Sequence, residues 1–249
     1  MNLIFDIDGT ICNNGKHIAE NIQEEIKSLY NKHNVIFASA RPIRDMLPIL
    51  NKEFHSSLLI GCNGGIHYKN NDFGKTHHFK TNIIKDVVNF LKKGNIPYVL
   101  DGDWYYSLSE VTHPFHDYIK SLSNYEYLEN DLIEKGITKL LILDNTKEFE
   151  VADIFASFDE KFNLNKHSKD NFFDITPNHN NKYVALKECN INMQESICFG
   201  NDHNDFMMLD NAHISVFVGG ENTYNDADIY TDFDGVHNVI RKLKSTGVL

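Results

Sequence analysis

Several short polar clusters in this chain carry residue types that can do chemistry. The first is Asp6-Ile7-Asp8-Gly9-Thr10. Carboxylates two positions apart, followed by a glycine and a hydroxyl, suit a hard, oxygen-seeking cation such as Mg²⁺. One carboxylate could attack an electrophile while the other exchanges protons with the leaving group. The same residue types build turns and caps, so spacing alone leaves both readings open. Ser39-Ala40-Arg41-Pro42 offers a hydroxyl and backbone N–H groups near a helix start, a setting for phosphate oxygens or for a plain N-cap. Asn63-Gly64-Gly65 is by itself a tight turn. Lys182 opens a helix, where a lone lysine is ordinarily solvated. Gly200-Asn201-Asp202-His203-Asn204-Asp205 is a second acidic cluster that could complete a metal site with the first.

The elements that must position these clusters alternate between strand and helix, the sign of an α/β fold with a parallel sheet. Residues 2–6 form a short apolar run ending in acid and glycine. Ile18, Ile22, Ile26 and Leu29 follow at helical spacing. The pattern continues with a strand over 35–38, a helix over 43–53 and a strand over 58–61. It returns late with a helix from Lys182, a strand over 196–199, a helix from Asp205, a strand over 214–218 and a helix over 236–243. In doubly wound sheets ligands bind beyond the carboxyl ends of the strands, and the polar clusters fall at such ends. The middle has another texture: a helix carrying Ile84, Val87, Val88 and Leu91 and stopping at Gly94, strands over 98–100, 104–108 and 139–143, and helices over 113–121 and 147–157. The chain is therefore expected to fold as a core from 1–81 and 174–249, interrupted by an inserted α+β domain over 82–173.

Taken in order, Asp6-Ile7-Asp8-Gly9-Thr10, Ser39, Lys182 and Gly200-Asn201-Asp202-His203-Asn204-Asp205 resemble the ordered motifs of the haloacid dehalogenase-like (HAD) superfamily. The insert between the second and third motifs is similar in length to the large α+β cap of the Cof-type phosphatases. Ala38-Ser39-Ala40-Arg41-Pro42, Asn63-Gly64-Gly65, Asn204-Asp205 with Met208-Leu209, Ala227-Asp228 with Thr231, and Asp234-Gly235-Val236 add to the likeness. The resemblance implies a Rossmann-like HAD core with a cap, and a Mg²⁺-dependent phosphomonoester hydrolase acting on small phosphorylated metabolites such as sugar phosphates. Asp6 would take the phosphoryl group as an aspartyl phosphate, and Asp8 would protonate the leaving alcohol and then activate water. Thr10, Ser39, Arg41 and Lys182 would meet the substrate phosphate, with Lys182 neutralising charge on Asp6 as well. Mg²⁺ would lie on Asp6, the Asp8 carbonyl and an acid of the fourth motif, with Asp205 holding metal-bound water or orienting Lys182. The fourth motif departs from the family pattern: Asn201 stands where the metal-binding acid belongs, so either Asn201 ligates the metal or the loop shifts and the adjacent Asp202 reaches it. His179 and Tyr183 stand where glycines are usual. Transfer of the phosphoryl group to another sugar, or a catalytically weak sensor of phosphate ligands, are the alternative functions.

Composition narrows the class. With 249 residues, 41% hydrophobic and 12% aromatic, the chain has the material for a buried core and is not a disordered tail. Its 24 basic and 35 acidic residues give a net charge of −11, unfavourable for nucleic acid, whose phosphates reward clustered lysine and arginine. No apolar run approaches a membrane span, and the N-terminus lacks the basic region of a signal peptide, so a cytoplasmic protein, monomer or homodimer, is expected. Cys12, Cys62, Cys189 and Cys198 have no paired metal-ligand spacing and read as reduced thiols. His77-His78 and His113 with His116 lack a third ligand at suitable spacing and read as ordinary histidines. Trp104, Tyr105 and Tyr106 read as core rather than a stacking platform.

Overall fold

Leu3, Ile4 and Phe5 have no solvent exposure, which a strand can achieve only with a neighbour on each side and helices on both faces. The computed structural model describes residues 1–167, 171–178 and 180–249. Along the chain come β1 (Asn2–Phe5), β2 (Asn34–Ala38), β3 (Leu58–Gly61), β4 (Ile66–Lys69) and β5 (Asp72–Thr76). Then follow β6 (Tyr98–Asp101), β7 (Tyr106–Leu108), β8 (Lys139–Ile142), β9 (Phe162–Lys166) and β10 (Phe173–Pro177), and finally β11 (Ser196–Gly200), β12 (Ile214–Val218) and β13 (Ile229–Thr231). They build an eight-stranded sheet in the order β13-β12-β11-β1-β2-β3-β4-β5 and a five-stranded sheet in the order β7-β6-β8-β10-β9. The larger sheet is parallel from β13 to β3 and ends in an antiparallel hairpin, β4–β5. The smaller one is antiparallel throughout. This is the α/β architecture with a parallel-dominated sheet that the alternation predicts.

β1 holds the centre. Phe5 lies in register with Phe37 of β2 and Phe199 of β11, its ring stacked on Phe199 at 4.7 Å. Strand alternation sends Leu3 and Phe5 to one face, where Ile22, Ile26 and Leu29 of helix Glu20–Tyr30 and Ile240 of helix Val236–Ser245 cover them. Ile4 faces the other way, onto Ala185 and Leu186 of helix Lys182–Glu188 and Met208 and Leu209 of helix Phe206–Asp210. Each fully buried Leu, Ile or Phe contributes about 1.5–3 kcal/mol.

The helix expected over 43–53 is only Ile43–Met46, followed by a turn and a short 3-10 segment at Lys52–Phe54. Pro48 explains the break, since it has no N–H to give and its ring clashes with the preceding turn. The β4–β5 hairpin was not expected at all. Its turn residues Asn70 and Asn71 have φ of 54° and 62°, the left-handed pair of a type I′ turn. The second sheet packs on helix Thr81–Lys93 through Ile83, Ile84, Val87, Val88 and Leu91, the expected stripe with one addition. Strand β10 straddles the expected boundary at 173/174. Among the described residues no helix is long and apolar enough to cross a membrane.

Candidate active site

β1, β2 and β11 end side by side, so the residues that follow them, Asp6, Ser39 and Asn201, meet at one edge of the sheet. Asp6 is almost wholly buried. Its Oδ1 accepts a hydrogen bond from Lys182 Nζ at 2.5 Å and its Oδ2 one from the Thr10 hydroxyl at 2.8 Å. Lys182 is not the solvated lysine typical of a helix start. Asn181 caps that helix by accepting the Val184 N–H, and the chain direction this sets drives Lys182 inward, to zero exposure. There Lys182 also donates to Asp205 Oδ1 at 2.7 Å. Burial alone would lower the lysine's affinity for its proton; Asp205 and Asp6 reverse this and raise it above the ordinary value. Burial, with the Asp205 carboxylate next, pushes the Asp6 carboxyl up to about 7 against the pull of Lys182.

Asn201 is the fourth-motif side chain brought onto Asp6 and Asp8. With its amide oriented to suit its neighbours, Nδ2 lies 2.9 Å from the Asp8 carbonyl oxygen, 3.0 Å from Asp6 Oδ2 and 2.9 Å from Thr10 Oγ1. Turned the other way, the same amide would present Oδ1 at that point beside Asp6 Oδ2 and the Asp8 carbonyl oxygen, an all-oxygen set that fits Mg²⁺ in place of the amide's own hydrogen bonds. Gly9 makes this approach possible: its φ is +84°, and a Cβ there would come within 2.9 Å of Asn201 Cγ.

The other fourth-motif acids make bonds within the loop and to Lys182. Asp205 spends Oδ1 on Lys182 and Oδ2 on the N–H groups of Asn201 and Asp202, which fixes the loop rather than reaching the Asp6–Asp8 oxygens. Asp202 lines the cavity, and its Oδ1 accepts the His203 N–H as the cap of the turn. Thr10 and Lys182 are both fully buried against Asp6 and bond its two carboxylate oxygens. Tyr183 is half-buried on helix Lys182–Glu188, and His179 lies outside the described residues.

Asp8 turns its carboxylate outward, where Arg41 grips it with both arms, Nε to Oδ2 at 2.6 Å and Nη2 to Oδ1 at 2.7 Å. Nη2 also reaches the Gly15 carbonyl and the Tyr118 hydroxyl, each at 3.1 Å, while the buried Nη1 has no hydrogen-bond partner among the described residues. Ser39 is buried beside them, and its Oγ accepts the Arg41 N–H, leaving its own O–H to donate.

The second sheet faces this edge across a cavity of about 440 Å³ lined by both units. Asp101 is buried between Arg44 at 2.5 Å and Lys139 at 3.3 Å. Burial would raise its carboxyl, but Lys139 and Arg44 hold it below the usual carboxylate range. Lys139 also donates to the Ala40 carbonyl, tying the two units together. Asp174 accepts from Asn165 at 2.9 Å, His167 at 3.0 Å and Asn63 at 3.3 Å, and Asn63 in turn accepts from Asn204 of the fourth motif at 2.9 Å. Burial opposes ionisation of Asp174 too, and His167 with Lys139 overcomes it. Phe115, Ile119, Leu122 and Leu141 supply an apolar wall. Sequence reasoning missed Asp101, Lys139 and Asp174. The available signal was a charged residue bordering an apolar strand, which demands a buried partner. Trp104, Tyr105 and Tyr106 stay off the cavity, with Tyr106 buried under the Arg44 guanidinium.

A doubly wound sheet gathers a buried aspartate, its lysine and a second aspartate at the end of its central strand, the place where α/β enzymes bind their ligands. The chain belongs to the haloacid dehalogenase-like hydrolases, whose sequence profile matches residues 3–240. YkrA of Bacillus subtilis, classed provisionally as a phosphatase, is 26% identical over 255 aligned residues, covering 97% of this chain and 96% of YkrA. The crystal structure of TM0651 from Thermotoga maritima matches with a TM-score of 0.78 at 25% identity, over 97% of this chain and 96% of that one. The subclass IIB sugar phosphatase BT4131 shares the fold, with a TM-score of 0.76 at 19% identity over 100% of this chain and 99% of its own.

Proposed function

We propose that this enzyme hydrolyses phosphomonoesters of small metabolites, sugar phosphates foremost, with Mg²⁺ and through a phosphoryl group carried on Asp6. The observation that carries the reading is the setting of the acid pair: Asp6 is buried and charge-balanced by Lys182, while Asp8 is exposed to the same cavity two residues later. The Ser39 O–H and the unpartnered Arg41 Nη1 are donors suited to the phosphate oxygens. The phosphate dianion competes with Asp8 for Arg41 and frees the Asp8 carboxyl to carry a proton. An Asp6 oxygen then attacks phosphorus as the ester P–O bond breaks, and Asp8 gives its proton to the departing alkoxide. Asp8 next takes a proton from water, whose oxygen attacks phosphorus and releases inorganic phosphate and free Asp6. Asp6, the Asp8 carbonyl and the Asn201 side-chain oxygen, once its amide turns, would hold Mg²⁺, which would supply positive charge to offset repulsion between carboxylate and phosphate.

The leaving group would lie against the second sheet. Lys139, His167, Asn165 and the carboxylates of Asp101 and Asp174 suit hydroxyl groups, and the Phe115–Leu141 side suits one apolar face. The test is phosphate release from a panel of phosphomonoesters with and without Mg²⁺, using Asp6→Asn as control. Release that needs Mg²⁺, disappears in the variant and is fastest with sugar phosphates supports the reading. Acceleration by an added sugar with transfer of the phosphoryl group to it would replace hydrolysis by phosphotransfer. No release above the variant across the panel would overturn the proposal.

A further inference from the structure

The β4–β5 hairpin, unexpected from the sequence, packs near the end of helix Lys182–Glu188 and gathers three ligating side chains that take no part in the cavity. They are His67 of β4, His77 just past β5 and Glu188, the last residue of the helix. His77 Nε2 stands 3.0 Å from Glu188 Oε2, and His67 Nε2 stands 3.6 Å from the same oxygen. All three ligand atoms lie within 4.8 Å of one another. His67 is 5% exposed, and its Nε2 is buried with no hydrogen-bond partner among the described residues. The ring is held by its other nitrogen, with Nδ1 3.3 Å from Cys189 Sγ. A nitrogen so deeply buried and unpaired is destabilising unless something binds it. It is aimed at a carboxylate slightly too far away for a hydrogen bond.

We propose that His67 Nε2, His77 Nε2 and Glu188 Oε2 form a second metal site, selective for Zn²⁺ or a similar borderline divalent cation and separate from the Mg²⁺ site. The donor set is the first reason: imidazole nitrogens with one carboxylate suit zinc, whereas Mg²⁺ takes oxygens. Spacing is the second. With bonds of about 2.0–2.1 Å, a tetrahedral centre separates its donors by about 3.4 Å, and the observed 3.0 and 3.6 Å bracket that value. The third is that Lys75 holds Glu188 through Oε1 and leaves Oε2 to the histidines. His78, the other half of the sequence pair, turns away to Asp103. The third ligand missing from the sequence pattern is thus supplied by residues distant in the chain. A cation here staples the edge hairpin to the helix whose first residue is Lys182, and its role is structural.

The experiment uses the full chain, freed of metal by chelation and kept in excess Mg²⁺ so that the oxygen site is filled. Co²⁺ is titrated while its visible d–d absorption is followed, Zn²⁺ is added in competition, and the melting temperature is read with and without Zn²⁺. His77→Gln and Glu188→Gln are the variants, because both side chains reach solvent and spare the buried His67; circular dichroism checks their folding. The expected result is one equivalent of Co²⁺ in a tetrahedral spectrum, displaced by Zn²⁺ but not Mg²⁺, a higher melting temperature with Zn²⁺, and affinity lowered by more than about tenfold in each folded variant. Absence of binding in the wild type, or binding retained in both variants and lost in Asp6→Asn, would overturn the proposal.

Discussion

Replacing Lys182 with methionine keeps the reach of the side chain and removes the cation that lies 2.5 Å from Asp6 and 2.7 Å from Asp205. Both carboxylates are then left buried without a counter-charge. Breaking a buried ion pair from one side costs about 3–5 kcal/mol. The lower end applies here, because Asp205 Oδ2 keeps the N–H groups of Asn201 and Asp202, and Asp6 Oδ2 keeps the Thr10 hydroxyl. About 3 kcal/mol is still a large share of the roughly 5–15 kcal/mol that holds a domain folded. The assay is urea unfolding in chelator, followed by circular dichroism, beside phosphate release in Mg²⁺. Lys182→Met is expected to lose about 3 kcal/mol and two to three orders of magnitude in turnover, the scale of removing one preorganised charge. The double variant Lys182→Met/Asp205→Asn removes one stranded carboxylate with the lysine, so it should regain at least about 1 kcal/mol without regaining turnover. A single variant with wild-type stability, or a double variant whose losses simply add, would refute the view of Lys182 as the shared counter-ion of a buried pair.

Asn201→Asp should raise the apparent Mg²⁺ affinity by about tenfold, or about 1.4 kcal/mol, in a metal titration of activity. The same change should lower the melting temperature in chelator, since a carboxylate replaces the amide that donates to Asp6. Tyr118→Phe removes one hydrogen bond to Arg41 at 3.1 Å, worth about 1 kcal/mol, and is expected to raise KM by up to about fivefold with little change in melting temperature. On the acid side, Asp101 and Asp174 have carboxyls lowered by their partners, so the stability they contribute is present above the unfolded value of about 3.9 and is lost as pH falls through the lower folded values. Melting temperature against pH should show this decline, and Asp101→Asn should flatten it; an unchanged acid limb would contradict the assignment.

The ends of β1, β2 and β11 were legible because an apolar run followed by Asp, Ser or Gly-Asn marks where a parallel strand stops, and order along the chain supplied the rest. Directions of side chains were not. How completely Thr10 and Lys182 are buried against Asp6 depends on the turn at Gly9 and the cap at Asn181, which spacing does not reveal. The β4–β5 hairpin escaped notice because its strands lack clean alternation: β5 is exposed along most of its length and its turn is Asn-Asn rather than Asn-Gly. The Asp101, Lys139 and Asp174 cluster was hidden for a different reason. Its partners come from separate strands of the second sheet and from Arg44 of the first unit, pairings that only tertiary contact creates. Pro48 was visible, and reading it as a helix stop would have shortened the helix predicted over 43–53.

The central strand β1 is made first, but one of its two neighbours, β11, is made near the end. Asp6 and Lys182 are 176 residues apart, so at typical synthesis rates of about 5–20 residues per second Asp6 waits roughly 9–35 s for its lysine. During that interval β1 has β2 on one side and a bare row of N–H and C=O groups on the other, the kind of edge that recruits foreign strands. The cluster under the second sheet is drawn from one stretch of chain, Phe79 to Ile175, and needs nothing made after it. A product cut short before Lys182 carries Asp6 and Asp8 without the lysine and the strand that bury Asp6 in the folded protein.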